Sequence, residues 1–353
     1  MSRINAKIEM ETQELILNYL KNNANSSSKE IFEGLNSVVS YATVKRHLSK
    51  LLTENYIIQQ GNAKNSRYTL SSTFNLFYPI NLDEYYNKEI DERGILASYN
   101  FSLIPEILQN VSLFTIQEIT LLNDLQNKFS ENITQLSDFE YKKDMERLAI
   151  DLSWKSSQIE GNTYSLLETE RLLKDKQTAA GKTKDEAIML LNHKDAIDFL
   201  VANSDDFLSL DIVKIEELHS ILVKELGVDR NIRTRRVGIT GTNYRPLDNE
   251  FQIREALQQT CDLINSRENI FEKALFALVL LSYIQPFYDG NKRVARIAAN
   301  ALLIANKYCP ISFRTVDSVD YKKAMLLFYE QNNISVFKQI FINQFKFAAE
   351  NYF

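Results

Sequence analysis

The stretch IQPFYDGNKRVAR, residues 284–296, decides how this chain is read. Before it lies FEKALFALVLLSYI, an apolar run of helical length that Pro286 brings to a stop. After it VARIAANALLIANK forms a second helix rich in Ala, Leu and Ile. Between the two, Gly290, Asn291 and Lys292 supply small or left-handed-tolerant residues and free backbone N–H groups at a helix start, an arrangement that binds anions. Lys292, Arg293 and Arg296 add three cations within five residues, and Asp289 at the turn suits a Mg²⁺ that bridges phosphates. A polyphosphate is the natural ligand. The alternative is a solvated basic helix start with Asp289 as its local cap.

Two further stretches bear on the same site. SSQIEGN, residues 156–162, ends a helix that starts near Asp138 and places Ser156 and Glu160 four apart on one face. Taken by itself, Glu160 reads as a helix-end carboxylate before the C-terminal Gly161. RNIRTRRVGITGTNYRPLDNEFQIREAL, residues 230–257, reads as a short excursion between helices. LNHKDAIDFL and LHSILVKEL upstream carry His193 and His219, which read as packing or solvated residues.

Together these stretches resemble the Fic family, whose motif is His-x-Phe-x-Asp/Glu-Gly-Asn-Gly-Arg-x-x-Arg. Phe287, Asp289, Gly290, Asn291, Arg293 and Arg296 match it, whereas Gln285 stands in place of the histidine and Lys292 in place of the second glycine. The resemblance, over residues 115–345, implies binding of ATP with Mg²⁺ at Asp289 and transfer of AMP to a hydroxyl of a target protein. It implies catalytic positions at Gln285, Asp289 and Arg293, and nucleotide contacts from Gly290, Asn291, Lys292, Arg293 and Arg296. It implies an inhibitory motif at Ser156, Glu160 and Gly161, with Glu160 pairing to Arg296. It implies a strand-rich flap at about 233–250, with Arg233 near its start and Thr240, Gly241, Tyr244 and Pro246 holding the target backbone. Gln has no group that titrates near neutrality, so transfer by the usual general-base route is expected to be impaired. A lysine at position 292 is similar to phosphotransferase relatives that bind ATP inverted. An active or conditional AMP transferase or phosphotransferase, and a non-enzymatic antitoxin-like interaction module, therefore stand as alternatives.

The N-terminal 71 residues form a separate pattern. ETQELILNYLKNN places Leu15, Ile16, Tyr19 and Leu20 on one helical face, and SSKEIFEGL opens with a capping box, Ser27 and Glu30. SYATVKRHLSKLL turns Val44, Leu48 and Leu51 inward and shows Tyr41, Thr43, Lys45, Arg46 and Lys50 on its other face. His47 reads as solvated or touching phosphate. IIQQGNAKNSRYTL then reads as two strands around a polar tip bearing Lys64 and Arg67. This order resembles the winged helix-turn-helix family, which implies a helix in the major groove and a wing on phosphate. Residues 1–71 hold nine Lys or Arg against six Asp or Glu, so the remainder of the −5 chain carries −8. That asymmetry favours a polyanionic partner for the first module. A dimerisation module with a basic face is the alternative.

The fold expected is mainly α: a helical Fic core over 115–353, a short β flap, and an N-terminal winged-helix domain. Residues 72–114 join them as an arm whose Phe and Tyr content suits packing rather than a loose linker. With 353 residues, 44% hydrophobic and 25% charged, the composition is that of a globular protein of two or three domains. Cys261 and Cys309 make no disulfide framework and suit a reducing compartment. Neither a secretory leader nor a membrane span is expected, which places the chain in the cytoplasm. The partners implied are ATP or ADP, an unnamed target protein and DNA, with a homodimer as the assembly.

Overall fold

The computed structural model describes residues 2–36 and 39–353, without the side chains of residues 2–11 and of Lys64. The chain divides into two units, Met1–Pro79 and Ile80–Phe353.

In the first unit α1 (Ser2–Asn22), β1 (Ser26–Ser27), α2 (Ser28–Gly34) and α3 (Tyr41–Thr53) precede a hairpin of β2 (Ile57–Gln60) and β3 (Arg67–Leu70). The sheet runs β1-β3-β2 and is antiparallel throughout, with Ile57 opposite Leu70 and Ser27 opposite Arg67. The expected capping box is present: Ser27 Oγ accepts from Glu30 N while Glu30 accepts from Ser27 N. Ile16, Leu20, Ile31, Val44, Leu48 and Leu51 form the core. Two expectations fail. Leu15 is 40% exposed and Leu17 is buried in its stead, because α1 turns its 16-17-20 stripe inward. His47 is buried and not solvated, since it follows the same inward face of α3 as Val44 and Leu51. The unit also reaches beyond residue 71. Phe74, in α4 (Phe74–Phe77), and Tyr78 both pack edge-on or tilted around Tyr56, which draws the first part of the expected arm into this core.

The second unit contains α5 (Leu82–Tyr86), α6 (Ile116–Gln135), α7 (Asp138–Ile159), α8 (Leu166–Asp175), α9 (Lys184–Ala202) and α10 (Ile212–Leu222). It continues with α11 (Glu250–Ser266), α12 (Ile270–Ile284), α13 (Asn291–Ala305), α14 (Ser318–Gln331) and α15 (Ser335–Asn351). Local chemistry sets many of the starts: Thr115/Glu118, Ser137/Glu140, Ser165/Glu168 and Thr183/Glu186 are all capping boxes. Helix α12 is apolar all round and is buried along its whole length apart from Lys273. It packs against α13, where Ala295, Ala298, Ala299 and Ala301 let the two backbones approach.

The expected β flap is not a strand. Among the described residues 233–249 joins no ladder, and only an isolated parallel bridge, Ser98 to Arg245, touches it. Extended backbone becomes sheet only beside a partner strand, and the groups at the ends of this segment are satisfied by side chains and by single backbone bonds to Pro286 and Ala97 instead.

Candidate functional site

Helix α12 ends where the sequence says it must. Gln285 takes left-handed geometry, φ +53°, and its N–H still closes on Leu281 O at 3.2 Å. Pro286 then prevents further helix. The turn is held from within by Asn291: its Oδ1 accepts from Phe287 N at 2.8 Å, and its Nδ2 donates to Phe287 O at 2.8 Å and to Gln285 Oε1 at 3.0 Å. Gly290, at φ +83°, starts α13 without a side-chain cap, so the first N–H groups of that helix have no intrahelical acceptor. A Cβ at Gly290 would lie 3.4 Å from both His219 and Val223, an ordinary van der Waals contact, so it is the left-handed backbone that calls for glycine.

The arginines of α13 point in opposite ways chemically. Arg293 is buried, donates to Asp289 Oδ2 at 2.8 Å and reaches Leu222 O at 3.3 Å. Asp289 itself is 64% exposed at the mouth of the turn. Arg296 is fully buried and turns to α7, where Nε donates to Ser156 Oγ at 2.7 Å and Nη2 to Glu160 Oε1 at 2.8 Å. The second oxygen of Glu160 lies 2.9 Å from Lys292 Nζ, so one carboxylate bridges two motif cations. Burial alone would raise the Glu160 pKa, but Arg296 and Lys292 outweigh it and hold the group down to about 2. Gly161 follows at φ +103° and ends the helix there.

Gln285 is fully engaged. Its Nε2 donates to Ser282 O at 2.6 Å and lies 3.5 Å from Tyr329 Oη, while its Oε1 accepts from Asn291. An amide held this way braces the turn and offers a hydroxyl no base. Neither histidine substitutes for it. His193 is buried, and burial followed by the nearby Arg296 and Arg293 holds it well below the ordinary histidine pKa. His219 stacks on Phe287 at 3.6 Å, and its ring nitrogens lie 3.0 Å from Asp289 O and 3.2 Å from Arg230 O. Both are packing residues.

A cleft of about 480 Å³ opens over the turn. Glu160, Gln285, Asp289, Gly290, Asn291 and Lys292 line one side, and Gly238, Ile239 and Thr240 another. Its third wall was not expected from the sequence: Lys322, Met325, Leu326 and Tyr329 of α14. No local signal marks these residues, because their role depends only on how α14 packs.

Arg233 ties the flap segment to the motif. Its N–H donates to Pro286 O at 3.0 Å, its Nε to Gln285 O at 2.6 Å, and its Nη2 to Leu247 O. Tyr244 and Pro246, expected to face a target, are buried instead. Tyr244 stacks on Tyr283 and donates its hydroxyl to Tyr283 O at 3.2 Å, because a large ring gains more by leaving water than by facing it. They anchor the flap; Thr240 and Gly238 are the exposed members.

In the first unit, the residues expected at nucleic acid divide by their partners. Lys45 lies over the Tyr41 ring at 5.0 Å, Tyr41 Oη meets Ser28 Oγ at 2.9 Å, and Thr43 pairs with Ser40. Lys50 sits 4.0 Å from Glu54, and Arg67 is paired with Glu30 at 2.8 Å. Arg46 is exposed on the same helix, and the Lys64 side chain lies outside the described residues.

Among the described residues no cluster of three or more His, Cys, Asp or Glu is placed to hold a metal, and no helix is long and apolar enough to cross a membrane. Residues 209–303 match the sequence profile of the Fic/DOC family. The chain is 26% identical over 171 residues to the protein adenylyltransferase fic-1 of Caenorhabditis elegans, covering 46% of this chain and 33% of that protein. It is 29% identical over 161 residues to the protein adenylyltransferase Fic of Aedes aegypti, covering 43% and 32% respectively. The match thus spans about a third of the length of these relatives. Among solved structures, a fragment of Fic-1 from C. elegans superposes with a TM-score of 0.58 at 20% identity, over 67% of this chain and 71% of that one. A Fic domain containing signaling protein from Bacteroides thetaiotaomicron superposes with a TM-score of 0.52 at 19% identity, over 66% and 98%. The motif turn thus lies within a segment that matches the Fic/DOC family, in a chain distantly similar to the Fic adenylyltransferases.

Proposed function

We propose that the 284–296 turn is an ATP site that the chain itself holds closed, in a protein whose AMP-transfer step is impaired. The observation that carries this reading is the position of Glu160, whose carboxylate bridges Arg296 and Lys292 at 2.8 and 2.9 Å. A carboxylate between two cations at a helix N-terminus stands where a phosphate would be bound, and competes with it. Kinship to adenylyltransferases supports ATP as the nucleotide.

Asp289 suits Mg²⁺. It is a single exposed carboxylate beside a phosphate nest, and Mg²⁺ is commonly held by one or two carboxylates together with substrate phosphates. Bound there, the metal would neutralise phosphate charge. The remaining work falls to the chain: backbone N–H groups of α13 and Lys292 orient the phosphates, and the exposed 238–240 backbone receives an extended target segment by strand addition. Transfer of AMP to a hydroxyl expels pyrophosphate and frees one proton. Gln285 accepts none, and loss of a general base costs on the order of 10²–10⁴ in rate. The first unit is read as a DNA-binding module whose α3 face and wing meet phosphate, which makes the whole a nucleotide-sensing regulator of the cytoplasm.

Calorimetry with ATP and Mg²⁺ tests the site. Wild type is expected to bind weakly and Glu160→Gly protein at least tenfold more tightly; no binding by either variant overturns the proposal.

A further inference from the structure

Residues 80–100 belong to the arm expected to pack on the domain that follows it, and they lie along the flap, a position that neither the motif nor that expectation specifies. Arg93 is at the centre. Its side chain is 3% exposed, Nη1 lies 3.2 Å from the fully buried carboxylate of Glu330, and Nη2 donates to Gly241 O at 3.0 Å. The Tyr86 ring sits 5.1 Å from its guanidinium carbon, and Tyr85 Oη donates to the same Glu330 at 2.7 Å. Around it two main-chain bonds and one side-chain bond join the same elements. Leu96 N donates to Glu330 O at 2.8 Å and Arg245 N to Ala97 O at 3.1 Å, while Asn243 Nδ2 donates to Asp91 Oδ1 at 2.8 Å.

The planar fork of an arginine can hold a carboxylate with one nitrogen and a carbonyl with another, which a lysine cannot do with equal geometry. Here the fork joins α14, which walls the cleft, to Gly241, the residue that follows the exposed 238–240 backbone. Gly241 has φ +92°, and a Cβ there would lie 3.3 Å from Leu326, so the chain turns sharply at the point Arg93 holds. The far end of the segment is held by Arg233 and by Tyr288, whose hydroxyl accepts from Thr234 N at 3.3 Å. Between these two anchors, the backbone of 236–240 makes no hydrogen bond among the described residues.

We infer that Arg93 is a positioning residue for target engagement: it fixes the Gly241 end of the flap to α14 so that the open 238–240 backbone faces the nucleotide cleft at a constant distance. The inference rests on the reading that this backbone receives a target segment. Clamped at both ends, the segment offers its free N–H and C=O groups with little ordering left to lose on binding.

The test is a nitroxide label at Ile239→Cys in the full chain, which is selective because Cys261 and Cys309 are buried. The spectrum is expected to be immobilised with Arg93 present and mobile in both Arg93→Ala and Arg93→Lys. Exchange of the Arg245 amide is expected to quicken at least tenfold in both. Lysine keeps a cation beside Glu330, so Arg93→Lys should retain its thermal midpoint while the flap loosens; it decides the matter if the alanine variant does not fold. An immobile label with unchanged exchange overturns the inference, and so does a mobile label accompanied by a fall in the Arg93→Lys midpoint. Calorimetry on Glu160→Gly protein carrying Arg93→Lys is expected to give ATP affinity within twofold of Glu160→Gly alone. Absence of ATP binding in both sinks the nucleotide reading and leaves the label result to stand on its own.

Discussion

Glu160 Oε1 accepts from Arg296 Nη2 at 2.8 Å across 136 residues of sequence. The contact joins the last turn of α7 to the first turns of α13, and Lys292 closes on the same carboxylate from the other side. A two-cation clamp is harder to release than a single pair, because opening it leaves a buried arginine without its charge partner.

Removing the carboxylate should therefore cost stability and increase ligand response together. Glu160→Gln is expected to lower unfolding free energy by about 1–3 kcal/mol, the range for a buried polar group that loses its partner. Saturating ATP should then raise its thermal midpoint more than that of wild type, by linkage of binding to folding. Equal shifts in the two proteins would contradict a competing glutamate.

The same group predicts a pH window. Its pKa is lowered on folding, so its contribution is fully present above its ordinary value of 4.5 and is lost as pH falls toward about 2. The stability difference between wild type and Glu160→Gln, measured by urea unfolding, should be constant from pH 5 to 8 and shrink between pH 4.5 and 2. A difference that changes near neutrality would mean another group governs the clamp.

On the proposed reading, Gln285 limits AMP transfer. In a Glu160→Gly background, Gln285→His should raise transfer of label from α-labelled ATP by on the order of 10²–10⁴, the usual value of a general base. The substitution also breaks the bond to Asn291, so a small loss of stability should accompany it. Label transfer that is equal with Gln and His would show that position 285 does not limit the reaction.

Arg233 should be a stability residue. Its side chain satisfies the carbonyls of Gln285, Arg235 and Leu247, and replacement by Met leaves them buried or half-buried without a donor. A loss of about 3 kcal/mol is expected from groups worth roughly 1–3 kcal/mol each, read by chemical denaturation. Little change would show that water replaces the guanidinium.

For the first unit, anisotropy with a mixed-sequence duplex should show binding that weakens steeply with salt. Joint replacement of Lys45, Arg46 and Lys50 by Ala should lower the slope of log affinity against log salt by about two to three, since each phosphate that is no longer neutralised removes roughly 0.9. Arg67→Ala is expected to do less, because Glu30 already neutralises that arginine. Binding independent of salt would count against a phosphate-reading face.

What the residues determine by themselves is local. The Ser27–Glu30 box, the stop at Gln285–Pro286, the left-handed Gly290 and the uncapped start of α13 each follow from a few neighbouring side chains, because caps and turns are written within one helical turn. The family pattern likewise marks Glu160 and Arg296 as a pair. Tertiary packing alone decides the rest. It brings Lys292 onto the same carboxylate, buries Tyr244 and Pro246, turns His47 inward, and leaves residues 233–249 without a ladder. It also supplies the α14 wall and the grip of Arg93 on Gly241, two features with no mark in the sequence. The reason is physical: these contacts join residues far apart in the chain, and their distances are set by how apolar helices fill space around α12.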